Sequence, residues 1–180
     1  ILFHDDHFLN KIIKHTSYQE LNSLITINTL DELFSWFIKT ENFKLNIEIK
    51  SQDIIGYKLE KKVSILIKKY QLEQRVLVSS FNPFSLLKIR LFSPEVYRAL
   101  LLTFEKNKES NFIIESRILN FICRPHMLNL RYLDYSAHFR QLAHKIPIVL
   151  WTVNDLAVYL KYKYEIHGII SDSITPADLE

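Results

Sequence analysis

Glycine is nearly absent from this chain of 180 residues. Only Gly56 and Gly168 occur, where average usage would supply about a dozen. A loop that cradles phosphate needs clustered glycines, so that backbone amides can approach the anion closely. Neither a P-loop nor a dinucleotide fingerprint can be built, so any phosphate handled here is met by side chains or a metal. Cysteine is scarcer still. Cys123 stands alone, which excludes an intrachain disulfide and a multi-cysteine zinc site. The lone thiol suggests a reducing compartment and a cytoplasmic protein. Apolar runs such as Ile146-Pro147-Ile148-Val149-Leu150-Trp151 stop far short of the roughly 18 residues a membrane helix needs. No sign of charge dominates either: 23 Lys+Arg against 20 Asp+Glu give +3, spread along the chain without a block. That argues against a nucleic-acid surface, where basic residues cluster on one face.

What is present is globular. Hydrophobic residues make up 48% and charged residues 24%, enough to exclude disorder and to bury one core, so residues 1–180 read as a single domain. The chain opens on Ile1 in the middle of what reads as a strand, with no initiator Met. The expectation is an N-terminally truncated piece of a longer protein, whose signal region is unreadable.

Short β-type runs alternate with helix-period runs. Ile1 to His4 reads as a strand end. Ser17 with Glu20, and Thr29 with Glu32, stand in capping-box register and open two helices, the second running through Lys39. Lys44 to Lys50 alternates strictly, with Leu45, Ile47 and Ile49 on one face and Asn46, Glu48 and Lys50 on the other. A helix follows from about Ile54 to Tyr70, then a strand from Val76 to Phe81 and a helix whose first turn takes Pro83. Further strands are expected at Tyr97–Leu102, Met127–Leu130, Ile148–Val153 and Gly168–Ser171. Helices are expected near 116–122, at 137–145 and at 155–164, with the start of a last one at Pro176.

Strands separated by single helices imply parallel βαβ crossovers. About seven strands suit an α/β fold, a TIM-like (β/α)8 barrel lacking its first βα unit, since such barrels run to about 250 residues. A doubly wound open sheet is the alternative. The barrel is favoured because polar residues recur at C-terminal strand ends, where barrel enzymes place their chemistry: His4, Glu48, Lys50, Ser79, Ser80, Trp151, Asn154 and Asp172.

Glu48 and Lys50 point the same way from one strand. In a barrel mouth the carboxylate suits a hard cation such as Mg2+ or Ca2+, and the ammonium suits an anionic oxygen; otherwise they are the solvated face of an edge strand. His4-Asp5-Asp6-His7 looks like a metal cluster, yet His4 and His7 face opposite ways on an extended segment. His4 alone is the candidate acid or base, set against a surface turn. The remaining histidines (His15, His126, His138, His144 and His167) lack ligand-like spacing and read as structural or exposed. Ser79 and Ser80 lack a G-x-S-x-G elbow and read as strand-end hydrogen-bonding groups. Phe81 and Trp151 either line a pocket or are buried aromatics. Cys123 reads as core, and Lys58-Leu59-Glu60-Lys61-Lys62 as a solvated helix face.

Taken in order, these pieces resemble the glycerophosphodiester phosphodiesterase family. The matching elements are Phe3-His4-Asp5, Ile27 to Leu33, Asn46-Ile47-Glu48-Ile49-Lys50, Ser79-Ser80-Phe81-Asn82, Trp151-Thr152-Val153-Asn154 and Gly168 to Asp172. The resemblance implies a TIM-like barrel that hydrolyses glycerophosphodiesters to glycerol 3-phosphate and an alcohol, with a divalent cation, Mg2+ or Ca2+. It further implies a place in lipid and glycerol metabolism. On it, His4 is similar to the second of the family's two catalytic histidines, Glu48 to a metal ligand and Lys50 to a phosphate contact. Phe81 and Trp151 correspond to residues near the substrate pocket. The family's His-Arg and Glu-x-Asp motifs lie before its His-Asp motif and have no counterpart here, so one histidine of two and one carboxylate of three are present. The leading expectation is a metal-dependent hydrolase in the full-length protein, with the 180 residues alone inactive. The alternatives are a non-catalytic barrel remnant acting as a binding module, and a phosphodiesterase for another lipid or sugar phosphodiester. The partner is a small-molecule phosphodiester, with no nucleic acid and no transmembrane segment; the oligomeric state is unreadable.

Overall fold

A computed structural model describes residues 1–5, 7–104, 123–143 and 146–179. Six strands form one all-parallel sheet: β3 (Leu45–Glu48), β4 (Val76–Ser80), β5 (Tyr97–Leu102), β6 (Met127–Arg131), β7 (Ile148–Trp151) and β8 (Gly168–Ile169). Their spatial order equals their chain order. A doubly wound sheet starts inside and reverses direction at a switch point, so this sequential order is that of a (β/α) barrel wall. Among the described residues β3 and β8 each pair on one side only.

The described helices are α1 (Tyr18–Leu24), α2 (Leu30–Phe37), α3 (Lys58–Lys69), α4 (Pro83–Phe92), α5 (Ala137–Ala143) and α6 (Leu156–Tyr162). Helices α2 to α6 cover one face of the sheet. Val78, Leu100, Leu130 and Leu150 on that face are fully buried, together with Phe34 of α2, Ile67 of α3, and Leu86 and Ile89 of α4. Each such side chain contributes about 1.5–3 kcal/mol relative to leaving it in water. The opposite face carries Asn46 and Glu48, then Ser79, Ala99, Asn129, Arg131 and Trp151, in the register of the ladder. The alternation expected for 44–50 is therefore observed, with Ile49 buried and Asn46, Glu48 and Lys50 exposed.

Local chemistry sets the helix starts. Thr29 Oγ1 accepts from the Glu32 N–H at 3.2 Å, and Glu32 Oε2 accepts from the Thr29 N–H at 2.7 Å, a complete capping box. The box expected at Ser17 forms only by half. Ser17 Oγ accepts from the Glu20 N–H, but the Glu20 carboxylate is taken by Lys11 Nζ. Asn82 caps α4 through the Phe84 N–H at 3.0 Å, with Pro83 in the first turn.

Three expectations are corrected. Residues 1–3 are not strand. Leu2 donates its N–H to the Asn28 carbonyl, and a short antiparallel hairpin, β1 (His7–Phe8) and β2 (Lys11–Ile12), follows instead. Two-residue strands are too short to leave a periodic signal. The helix expected from Ile54 starts at Lys58, because Ser51 to Tyr57 is spent crossing from sheet to helix layer. Within the supposedly solvated run, Glu60 is 1% exposed. Its carboxylate accepts from Ser85 Oγ at 2.7 Å and pairs with Lys88 Nζ at 3.4 Å, which brings the buried charge a partner. The helix expected at 116–122 lies outside the described residues, as do Asp6 and His144.

Candidate active site

Lys50 follows the C-terminal end of β3 and donates its ammonium to the His4 carbonyl. That bond draws the segment Ile1–His4 against the edge of the sheet. His4, Glu48 and Lys50 thereby line one cleft of about 260 Å³, with Leu2, Phe3, Leu33, Asn46 and Ile47 among its walls. The His4 ring is 92% exposed, and its Nδ1 lies 2.8 Å from Asp5 Oδ1. A carboxylate on Nδ1 holds the proton there and leaves Nε2 as the ring atom free to exchange one. A histidine, a carboxylate and an ammonium therefore converge on one open cleft, the set needed to move a proton and to meet an anion.

Of the two serines at the next strand end, Ser80 is the hydrogen-bonding group expected and Ser79 is not. Ser80 Oγ donates to the Ile49 carbonyl at 2.7 Å and accepts from the Asn82 N–H at 3.1 Å. Asn82 Nδ2 then reaches the Ser51 and Asp53 carbonyls at 3.0 and 3.2 Å, and Lys88 Nζ donates to the same Asp53 carbonyl at 2.7 Å. The loop leaving the cleft is thus fastened to α4. Among the described residues Ser79 Oγ is buried without a hydrogen-bond partner, and it faces the same side as Glu48, its neighbour in register.

Phe81 and Trp151 form a second group. Their rings meet edge to face at 5.7 Å and 87°, and Trp151 Nε1 donates to the Asn129 carbonyl at 2.8 Å. In a flat sheet three strand spacings of about 4.8 Å would hold β4 and β7 about 14 Å apart. The wall of a barrel curls, which brings side chains of β4 and β7 toward each other on its concave side, where Phe81 and Trp151 meet. Both rings are half-buried. Neither lines the cleft of His4.

The chain fits the model of the glycerophosphoryl diester phosphodiesterase family over residues 4–175, the family its six sequence elements resemble. This chain belongs to that family. A glycerophosphodiester phosphodiesterase from Caldanaerobacter subterraneus subsp. tengcongensis is 40% identical over 75 residues, covering 42% of this chain and 30% of the relative. The chain spans about half or less of the length of the curated relatives it matches. Among solved structures, a glycerophosphodiester phosphodiesterase from Parabacteroides distasonis superposes with TM-score 0.74 at 20% identity, over 94% of this chain and 72% of that one. An Oleispira antarctica phosphodiesterase, solved with the product sn-glycerol-3-phosphate, superposes with TM-score 0.64 at 20% identity, over 94% and 74%. At such identities these structures establish the fold.

The family resemblance implies a divalent cation, and the donor set tests it. Among the described residues no three His, Cys, Asp or Glu side chains group closely enough to hold an ion. Glu48 offers one carboxylate where a hard dication takes about six to eight oxygens. The described residues do not fit a complete metal site. Among them, too, no helix is long and apolar enough to cross a membrane.

Two features of this end of the sheet escaped the sequence reading. Asn129 and Arg131 stand on the concave side of β6, Arg131 in register with Trp151. An alternating Asn-x-Arg at a strand end was the available signal. Asn154 and Asp172, singled out separately, are bonded: Asn154 Oδ1 accepts from the Asp172 N–H at 2.9 Å, and its Nδ2 lies 3.2 Å from Asp172 Oδ2. They fasten the ends of β7 and β8. Histidines 126 and 167 are structural, accepting the Arg98 and Ile148 N–H groups through Nδ1 at 3.1 and 3.2 Å. Burial, and next the nearby Arg98, hold the His126 imidazole below its usual range. Cys123 is fully buried, and burial pushes its thiol up to about 11, so it is inert at neutral pH.

Proposed function

We propose that the protein carrying this chain hydrolyses glycerophosphodiesters to glycerol 3-phosphate and an alcohol. The observation that carries the reading is the convergence of His4, Glu48 and Lys50 on one cleft in a member of this family. The named activity of the Caldanaerobacter relative and the product bound by the Oleispira enzyme support the substrate class. Lys50 sets a positive charge beside the phosphate, where negative charge grows as the phosphorus–oxygen bond breaks. His4, its Nδ1 occupied by Asp5, exchanges a proton at Nε2 with the attacking water or the departing alkoxide. Phe81 and Trp151 stand outside the cleft of His4, on the concave side of the sheet, and would meet the non-phosphate part of a substrate that reaches beyond that cleft. A cation such as Mg2+ or Ca2+ would take Glu48 as one ligand and would need further oxygens from outside the described residues. With Glu48 as the one carboxylate that the described residues bring to this cleft, the 180 residues alone are expected to show no turnover.

Glycerol 3-phosphate release from glycerophosphocholine, by the protein expressed from its whole gene, tests the reading. His4→Gln and Glu48→Gln are each expected to lower kcat by about a hundredfold or more. Lys50→Met is expected to act mainly on KM. Full activity in His4→Gln would overturn the assignment. Cleavage only of diesters without glycerol would instead favour another phosphodiester as substrate.

A further inference from the structure

The segment from Asp53 to Lys62 leaves the candidate site and is unlike the rest of the surface. Ile54 and Ile55 stand 61% and 90% exposed, and Tyr57 is more than half exposed. Among the described residues the two isoleucines are left largely open to water, yet the backbone beside them is firmly held. Lys88 Nζ and Asn82 Nδ2 both donate to the Asp53 carbonyl, and Asn82 also holds Ser51. A fastened loop that presents its largest apolar groups to water has not exposed them through slackness.

Charge surrounds the apolar tip on one side of neutrality. Lys58, Lys61 and Lys62 are exposed in the first turns of α3, and Lys61 lies 6.0 Å from the Tyr57 ring centroid. The two acidic residues in the segment do not balance them. Glu60 is buried against Lys88, and Asp53 faces Lys14 at 3.6 Å. Among the described residues, no carboxylate lies within salt-bridge distance of Lys58 or Lys62. The three ammonium groups also stand at the positive end of the α3 dipole, where the helix itself gains nothing from cations. A pair of isoleucines to enter an apolar medium, a tyrosine for its polar boundary and three unbalanced lysines for its negative face match an anionic lipid bilayer surface.

We infer that Ile54–Lys62 docks the protein on anionic phospholipid membranes, with the candidate site beside the contact. Binding is read without substrate, so the outcome is independent of the hydrolase reading. The probe is vesicle co-sedimentation, with phosphatidylcholine mixed with phosphatidylglycerol against phosphatidylcholine alone. The expected result is binding to the anionic vesicles that weakens with salt. Lys58→Gln/Lys61→Gln/Lys62→Gln should lower the partition coefficient on the order of a hundredfold, at about 1 kcal/mol per lysine near such a surface. Ile54→Ser/Ile55→Ser should lower it by about tenfold or more. These side chains are exposed, so both variants keep the wild-type circular dichroism and melting temperature. Equal sedimentation of wild type and both variants would overturn the inference. So would absence of lipid binding with self-association, in ultracentrifugation, that Ile54→Ser/Ile55→Ser abolishes; the patch would then be covered by a second copy.

Discussion

Replacing Lys88 by methionine tests the buried pair that the sequence concealed. The substitution keeps the length of the side chain, so packing between α3 and α4 changes little, but Glu60 loses its cation. Glu60 is 1% exposed and keeps one donor, Ser85 Oγ at 2.7 Å; the Asp53 carbonyl keeps Asn82 Nδ2 at 3.2 Å. Removing one partner of a buried pair costs about 3–5 kcal/mol, because the remaining charge has left water without compensation. The 3.4 Å separation of Lys88 Nζ from Glu60 Oε1 and the surviving serine donor place this case near the lower end, about 3 kcal/mol. With a urea slope of about 2 kcal/mol/M, the unfolding midpoint falls by about 1.5 M. Equilibrium urea unfolding of the chain, followed by circular dichroism, reads this directly. The double variant Lys88→Met/Glu60→Gln removes the stranded charge and should recover all but about 1 kcal/mol. A second readout is local: with one of the two donors to the Asp53 carbonyl lost, proteolysis at Ile54–Ile55 should accelerate before global unfolding. A loss below about 1 kcal/mol in the single variant is the size of an exposed ion pair, and would refute the argument from burial.

Two further predictions concern the sheet. His126 accepts the Arg98 N–H and is held below its ordinary range by burial, so below about pH 6.5 the unfolded chain binds its proton first. Its contribution to stability is present above that pH and is lost as pH falls toward the lowered folded-state value. His126→Asn, which keeps an acceptor without titrating, should flatten melting temperature against pH in that window; an unchanged slope would count against it. The contact of Phe81 with Trp151 is read by fluorescence. The chain has two tryptophans, and in Trp36→Phe the emission belongs to Trp151 alone. Adding Phe81→Ala should shift that emission to the red as water reaches the ring, and no shift would mean that the two rings do not meet.

Much of the fold was legible because its signals are local. Leu45, Ile47 and Ile49 alternate with Asn46, Glu48 and Lys50, and a strand with one buried face needs no other information. Thr29 and Glu32 announce the start of α2 by their spacing, and the spacing is what makes the two hydrogen bonds. The candidate site was legible in part for the same reason. His4, Glu48 and Lys50 could be named from strand-end position and family resemblance, but their meeting depends on Lys50 capturing the His4 carbonyl across forty-six residues.

What the sequence by itself determined is the alternation of strand and helix, the exclusion of a glycine-built phosphate loop, and the family motifs in their order. Only the tertiary structure decided the rest. It buried Glu60 inside a run that reads as solvated, because Ser85 and Lys88 of the next helix arrive to satisfy it. It joined Phe81 to Trp151, which lie seventy residues apart and meet because β4 and β7 belong to one barrel wall. It bonded Asn154 to Asp172, and it left Ile54 and Ile55 standing in water on a loop fastened from below. Periodicity records which face of an element meets the core. It carries no record of which distant side chain completes a charge, since that partner is fixed by how the layers pack.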